Sequence, residues 1–140
     1  MFSVNILAVV VSGIVAFIIG FAFHGPLFGK LWMRLANIHP TGNEKFSDMY
    51  GKMAWNVVTN LVTAYALGII INIAVSSSLL GTATVWTGVI CALVVWLGFL
   101  VTSSSIEVIW MGRAFKLWLF ECVSSLVVMV VMGIILVSMR

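Results

Sequence analysis

Residues 53–106 read MAWNVVTNLVTAYALGIIINIAVSSSLLGTATVWTGVICALVVWLGFLVTSSSI, without one Asp, Glu, Lys or Arg. A helix rising about 1.5 Å per residue needs about 20 apolar residues to cross a hydrocarbon layer about 30 Å thick. The stretch is long enough for two such helices, with the uncharged run from Ser76 to Thr84 as their turn. The same measure extends outward in both directions. No charge precedes Lys30, which leaves room for one span, and none lies between Glu121 and Arg140, which leaves most of another.

Composition agrees with this reading. Of 140 residues, 63% are hydrophobic and 8% are charged, against about 25% charged in an ordinary soluble domain. Seven basic and four acidic side chains cannot coat a small soluble body, whose surface is large relative to its core. A soluble cytosolic domain, a disordered chain and a nucleic-acid binder are excluded. The net charge of +3 is explained by where the basic groups fall.

The expected fold is all-α: one membrane domain over 1–140, with four transmembrane helices at about 4–23, 54–75, 85–110 and 114–139. Barrel strands would show alternating segments of about 10 residues, which are absent. The first helix is read as retained. It lacks the basic start and A-x-A cleavage site of a signal peptide, and its apolar run is too long. Short turns at 76–84 and 111–113 imply an antiparallel bundle. Ser12, Ala16, Gly20 and His24 share one face of the first helix, and small residues at that spacing let helix backbones approach closely in lipid.

Orientation follows from the excess of Lys and Arg in cytoplasmic loops. The segments after the first and third spans hold Lys30, Arg34, Lys45, Lys52, Arg113 and Lys116, and the opposite side holds only Arg140. Both termini are therefore expected outside the cytoplasm, with 24–53 a cytoplasmic loop. Trp32, Trp55, Trp110 and Trp118 flank the charged side, as amphipathic rings at a membrane interface do.

Within 24–53, Pro26 lacks an N–H and disfavours helix at Gly25, so Gly25-Pro26 reads as an elbow leaving the membrane. Pro26, Phe28, Lys30, Trp32 and Arg34 then form an interfacial anchor, with apolar and basic groups four apart on a helix lying in the surface. Lys30, Arg34, Lys45 and Lys52 attract anionic lipid through position alone. Membrane lipids are the expected partners.

Glu121 stands apart from this surface pattern. It lies about two turns into the fourth helix, and an acid inside a span is costly. Across the turn near Gly112 it sits opposite Ser104, within Thr102-Ser103-Ser104-Ser105, while Asn56 and Asn60 on the second helix and His24 at the end of the first reach a similar depth. Glu121, Ser104, Ser105, Asn56, Asn60 and His24 are the candidate polar pocket. Two readings stay open: a cytoplasm-facing pocket in which Glu121 binds a cation, a proton or a polar head group, and a hydrogen-bonded network that fixes helix register. Glu107, near Arg113, reads as half of a boundary salt bridge. Cys91 and Cys122 lack C-x-x-C spacing and read as small packing residues. No metal site or cofactor is expected, because His24 and Glu121 lack a third ligand and no nucleotide or hydrolase motif occurs.

The run His24-Gly25-Pro26-Leu27-Phe28-Gly29-Lys30-Leu31-Trp32-Met33 resembles the signature after the first helix in the membrane-protein family called domain of unknown function 1761. Trp96-Leu97-Gly98-Phe99, Gly112-Arg113-Ala114-Phe115-Lys116-Leu117 and Met132-Gly133 carry the resemblance over nearly the whole chain. It implies a four-helix protein of a bacterial or archaeal cell membrane, with a polar group near position 121, and it brings no biochemical activity with it. The expected role is that of a small integral membrane protein for binding, scaffolding or accessory work, without enzymatic activity, in a homo-oligomer or alone. The alternative is an oligomeric small transporter or channel using Glu121 as a proton- or cation-linked site.

Overall fold

A computed structural model describes residues 3–140. Its elements are helical: α1 (Ile6–Ala22), α2 (Gly29–Leu35), α3 (Tyr50–Ser76), α4 (Val85–Val95), α5 (Thr102–Met111) and α6 (Phe115–Ser138). No strand occurs among the described residues. Wide π-helical turns at Phe23–Leu27 and Trp96–Val101 extend α1 and join α4 to α5, and a 3-10 turn at Phe46–Met49 leads into α3. Four continuous helices, Ile6–Leu27, Phe46–Ser76, Val85–Met111 and Phe115–Ser138, are long and apolar enough to cross a membrane.

Three helix ends have a clear local cause. The Asn5 side chain accepts hydrogen bonds from the backbone N–H groups of Leu7 and Ala8 at 3.0 and 3.3 Å, satisfying donors that the first turn leaves free. Thr84 and Thr87 form a reciprocal capping box at the start of α4. Gly112, at φ +67°, ends α5 in the left-handed conformation that glycine adopts without a steric penalty.

The segment 24–53 is helical at both ends, with α2 (Gly29–Leu35) near one and the lead-in to α3 (Phe46–Met49) at the other. Gly25 and Pro26 lie inside the π-helical turn, and the helix breaks at Phe28 (φ −124°, ψ 17°). A widened turn accommodates a ring that has no N–H and would crowd the carbonyl four residues back. At the other end, α3 starts before Ala54, where Phe46 packs edge-on against Tyr50 at 5.5 Å. Between them, the Glu44 carboxylate accepts from the Thr41 N–H and hydroxyl at 2.8 and 3.0 Å and from the Gly42 N–H at 3.0 Å. The Thr41 amide, the residue's own amide and the Thr41 hydroxyl hold the Glu44 pKa below its ordinary value.

The apolar core occupies the half of the molecule nearer the termini. Ala8, Val9, Ala16, Ala64, Leu67, Ile71, Ala92, Met129, Met132 and Leu136 are buried there, and Ser12 is buried with its hydroxyl on the Ala8 carbonyl at 2.6 Å. Polar groups close this end. The Asn5 amide donates to the Met139 carbonyl at 2.6 Å, the Asn72 amide to the Ser3 carbonyl at 3.0 Å, and Arg140 Nε to the Asn72 side-chain oxygen at 2.7 Å. The opposite half is open, and α5 buries none of its residues.

The tightest helix crossing joins α4 to α6. A Cβ added at Gly88 would strike the Gly133 carbonyl oxygen, and one added at Gly133 would strike that of Gly88. No side chain fits between these backbones, so dispersion contact is at its closest there. Gly88→Ala or Gly133→Ala should therefore destabilise the protein by about 1–3 kcal/mol, the usual cost of overpacking. Gly51→Ala, where a Cβ meets nothing within 4 Å, should not. Unfolding of the three variants in mixed detergent micelles measures the difference; equal stabilities would contradict a backbone-limited crossing.

Candidate functional site

Glu121 lies on the first half of α6, half-buried, with partners from three other segments. His24, in the π-helical turn after α1, places Nε2 at 3.2 and 3.3 Å from the two carboxylate oxygens. Its Nδ1 lies 2.8 Å from the Gly20 carbonyl, which orients the ring. Trp32 of α2 donates its indole N–H to Glu121 Oε1 at 3.2 Å. Arg113, in the turn between α5 and α6, approaches the same oxygen at 3.9 Å and forms a direct ion pair with Glu107.

Local folding explains how these groups meet. The π-helical turn delivers His24 toward α6, and its ring stands edge-on to Trp32 at 5.1 Å and to Phe120 at 5.6 Å. Gly29 begins α2 so close to the preceding turn that a Cβ there would sit 3.0 Å from the His24 carbonyl oxygen. That close return turns Trp32 inward, three residues later.

Three adjoining cavities, of about 460, 200 and 320 Å³, all border Glu121. The first lies toward Phe17, Phe21, Trp32, Lys52 and Asn56. The second runs past Asn56, Asn60, Thr63, Ser124 and Ser125. The third reaches Ser103, Ser104 and Cys122. The first two share Gly20 and Asn56, and the last two share Leu100 and Ser125. Together they make a largely apolar vestibule with polar groups set into its walls, bordered by α1, α3, α5 and α6, and Glu121 lines all three parts.

Of the six pocket residues read from sequence, the structure gathers Glu121, His24, Asn56, Asn60 and Ser104 around this space. Ser104 does not bond Glu121 directly. Its hydroxyl accepts from the Trp118 indole at 2.9 Å, one turn earlier on α6. Ser105 borders none of the three cavities, and its hydroxyl donates back to the Thr102 carbonyl at 2.6 Å. Adjacent helical residues point about 100° apart, so Ser104 and Ser105 cannot both face Glu121. Asn60 donates its amide to the Asn56 side chain at 3.0 Å, one turn away on α3.

The anchor residues also divide. Lys30, Arg34 and Pro26 are exposed. Phe28 packs on Phe23 and Phe120 at 5.3 and 6.4 Å. Trp32 turns its N–H to Glu121 instead of toward a surface, because an indole needs an acceptor when it leaves water. Sequence reasoning missed Trp32 and Arg113 as Glu121 partners. Trp32 was legible only as an amphipathic ring, and Arg113 was already matched to Glu107. Among the described residues no three His, Cys, Asp or Glu side chains gather at metal-binding distance. Cys91 and Cys122 are buried free thiols.

The His24–Glu121 contact spans two helices and is measurable as a coupling. A double-mutant cycle with His24→Ala and Glu121→Ala should give an interaction term of about 0.5–3 kcal/mol in detergent unfolding. Additive effects would mean that the two groups do not support one another.

No curated protein and no solved structure matches the chain. A family model does match, over residues 7–137, and its description is Protein of unknown function (DUF1761). The Gly-Pro-Leu-Phe-Gly-Lys run, the Gly112–Leu117 turn and Met132-Gly133 all lie inside that match, and the chain belongs to the DUF1761 family.

Proposed function

We propose that this chain is a small cell-membrane protein that binds a small polar or cationic ligand in the vestibule around Glu121. The observation that carries the reading is that three adjoining cavities have Glu121 as a shared wall. A carboxylate at such a junction offers charge, and Asn56, Asn60, Ser104, Ser124 and Ser125 offer hydrogen-bonding groups of both kinds. The closed core beyond Met129 and Met132 makes the vestibule a dead end, which favours binding over conduction.

The four spans form an antiparallel bundle with both termini outside the cytoplasm, and the vestibule opens to the cytoplasm of a bacterial or archaeal cell. Supporting this arrangement, the Asn5–Met139 contact joins the start of α1 to the end of α6, whereas His24–Glu121 joins the end of α1 to the first half of α6. The distribution of Lys and Arg supports the orientation.

A second reading, an oligomeric transporter or channel using Glu121 as a proton- or cation-linked site, is favoured by the contact between two titratable side chains, His24 and Glu121. Scaffold or accessory service in a homo-oligomer needs no vestibule and gains nothing from it.

Three measurements test these proposals. Thermal unfolding of purified protein with sodium, potassium, magnesium or tetraphenylphosphonium should show a stabilising shift with at least one cation. Glu121→Gln should abolish the shift and Ser105→Ala should keep it; a shift unchanged in Glu121→Gln removes the carboxylate from the site. In proteoliposomes under an imposed proton gradient, flux in wild type but not in Glu121→Gln would replace binding by transport. Reporter fusions at both termini should read extracytoplasmic, and cytoplasmic signals would reverse the topology.

A further inference from the structure

On the other side of Phe120 from the vestibule lies a groove of about 340 Å³ between α2 and α6. Its walls include Phe28, Leu31, Leu35, Phe120 and Val123, and its one charged lining residue is Lys116. Phe23, Phe28 and Phe120 meet tilted or edge-on, at 5.3–6.4 Å between ring centres, to form its aromatic floor.

We propose that this groove binds one anionic phospholipid of the surrounding bilayer, with an acyl chain in the groove and the phosphate on Lys116. Polarity along the groove has the order of the ligand. Lys116 sits in the first turn of α6 and Val123 two turns further along, a separation of about 10 Å at about 1.5 Å per residue. The intervening walls are apolar and concave, so an acyl chain lying there touches protein on several sides and not one. Lys30 and Arg34 are exposed on α2, which forms one wall of the groove, and they add positive charge at the surface end.

No acid competes for Lys116 within the groove. Glu121 is turned to His24 and Trp32, and Glu107 is paired with Arg113. Charge also decides against a second copy of the chain as the occupant. A two-fold contact uses the same patch on both subunits and would bring one Lys116 toward the other. A lipid phosphate supplies the opposite sign.

The site is independent of any ligand at Glu121. The full chain, equilibrated with vesicles of equal parts phosphatidylglycerol and phosphatidylcholine and then extracted in mild detergent, is examined by native mass spectrometry. Wild type should retain one phosphatidylglycerol per chain in preference to phosphatidylcholine. Lys116→Ala should lower that retention about fivefold, the factor for one basic group near a membrane surface, and Lys116→Arg should restore it. Val123→Trp, which fills the groove, should remove the lipid with helicity unchanged. Lys116 is exposed, so its replacement decides the matter even where the Trp variant fails to fold. Equal retention of both lipids, or full retention by Lys116→Ala, would overturn the proposal. A dimer that Val123→Trp dissociates would overturn it in favour of a second copy.

Discussion

One carboxylate ties together segments that otherwise have little reason to meet. Glu121 accepts the Trp32 indole, contacts His24 and lies near Arg113. These partners come from α2, the π-helical turn after α1 and the turn before α6. An acid at this depth is costly unless other groups share its charge or hydrogen-bond it. Its satisfaction goes with the return of α2 onto α6 and with the approach of the turn before α6 to the carboxylate. Two of these partners, His24 and Trp32, also line the first of the cavities that border Glu121.

The two ends of the molecule are built on different chemistry. Near the termini, small residues and apolar side chains interlock, and the polar groups of Asn5, Asn72 and Arg140 seal the surface. At the charged end, aromatic rings and hydrogen-bonded polar side chains replace close packing. The Trp96 indole donates to the Cys122 carbonyl and to the Ser125 hydroxyl, each at 3.0 Å. It joins the start of the second π-helical turn to the wall of the vestibule. Phe120 separates the vestibule from the outer groove, with His24 against one part of its ring and Phe28 against another.

Much of this was legible in the sequence because charge is so costly in hydrocarbon. Three gaps between charged residues mark the helices, and Glu121, about two turns into the fourth helix, is the acid around which the candidate pocket is drawn. Asn56, Asn60 and His24 were legible through helical spacing. What could not be read was set by backbone geometry that has no residue signature. A π-helical turn took in Pro26, although proline ordinarily argues for a break. The close return at Gly29 brought Trp32 from an expected surface position onto Glu121. Ser105 was misplaced because a run of four hydroxyl residues, Thr102 to Ser105, circles the helix, and polarity alone does not say which of them faces inward.

The Gly88–Gly133 crossing has a mechanical consequence. Two helices whose backbones touch have no flexible side chains between them to absorb sliding or rotation, and any such movement meets peptide atoms at once. The crossing therefore holds α4 and α6 as one unit, side by side at the backbone. The wide turn at Trp96–Val101 stands between that unit and α5, none of whose residues is fully buried.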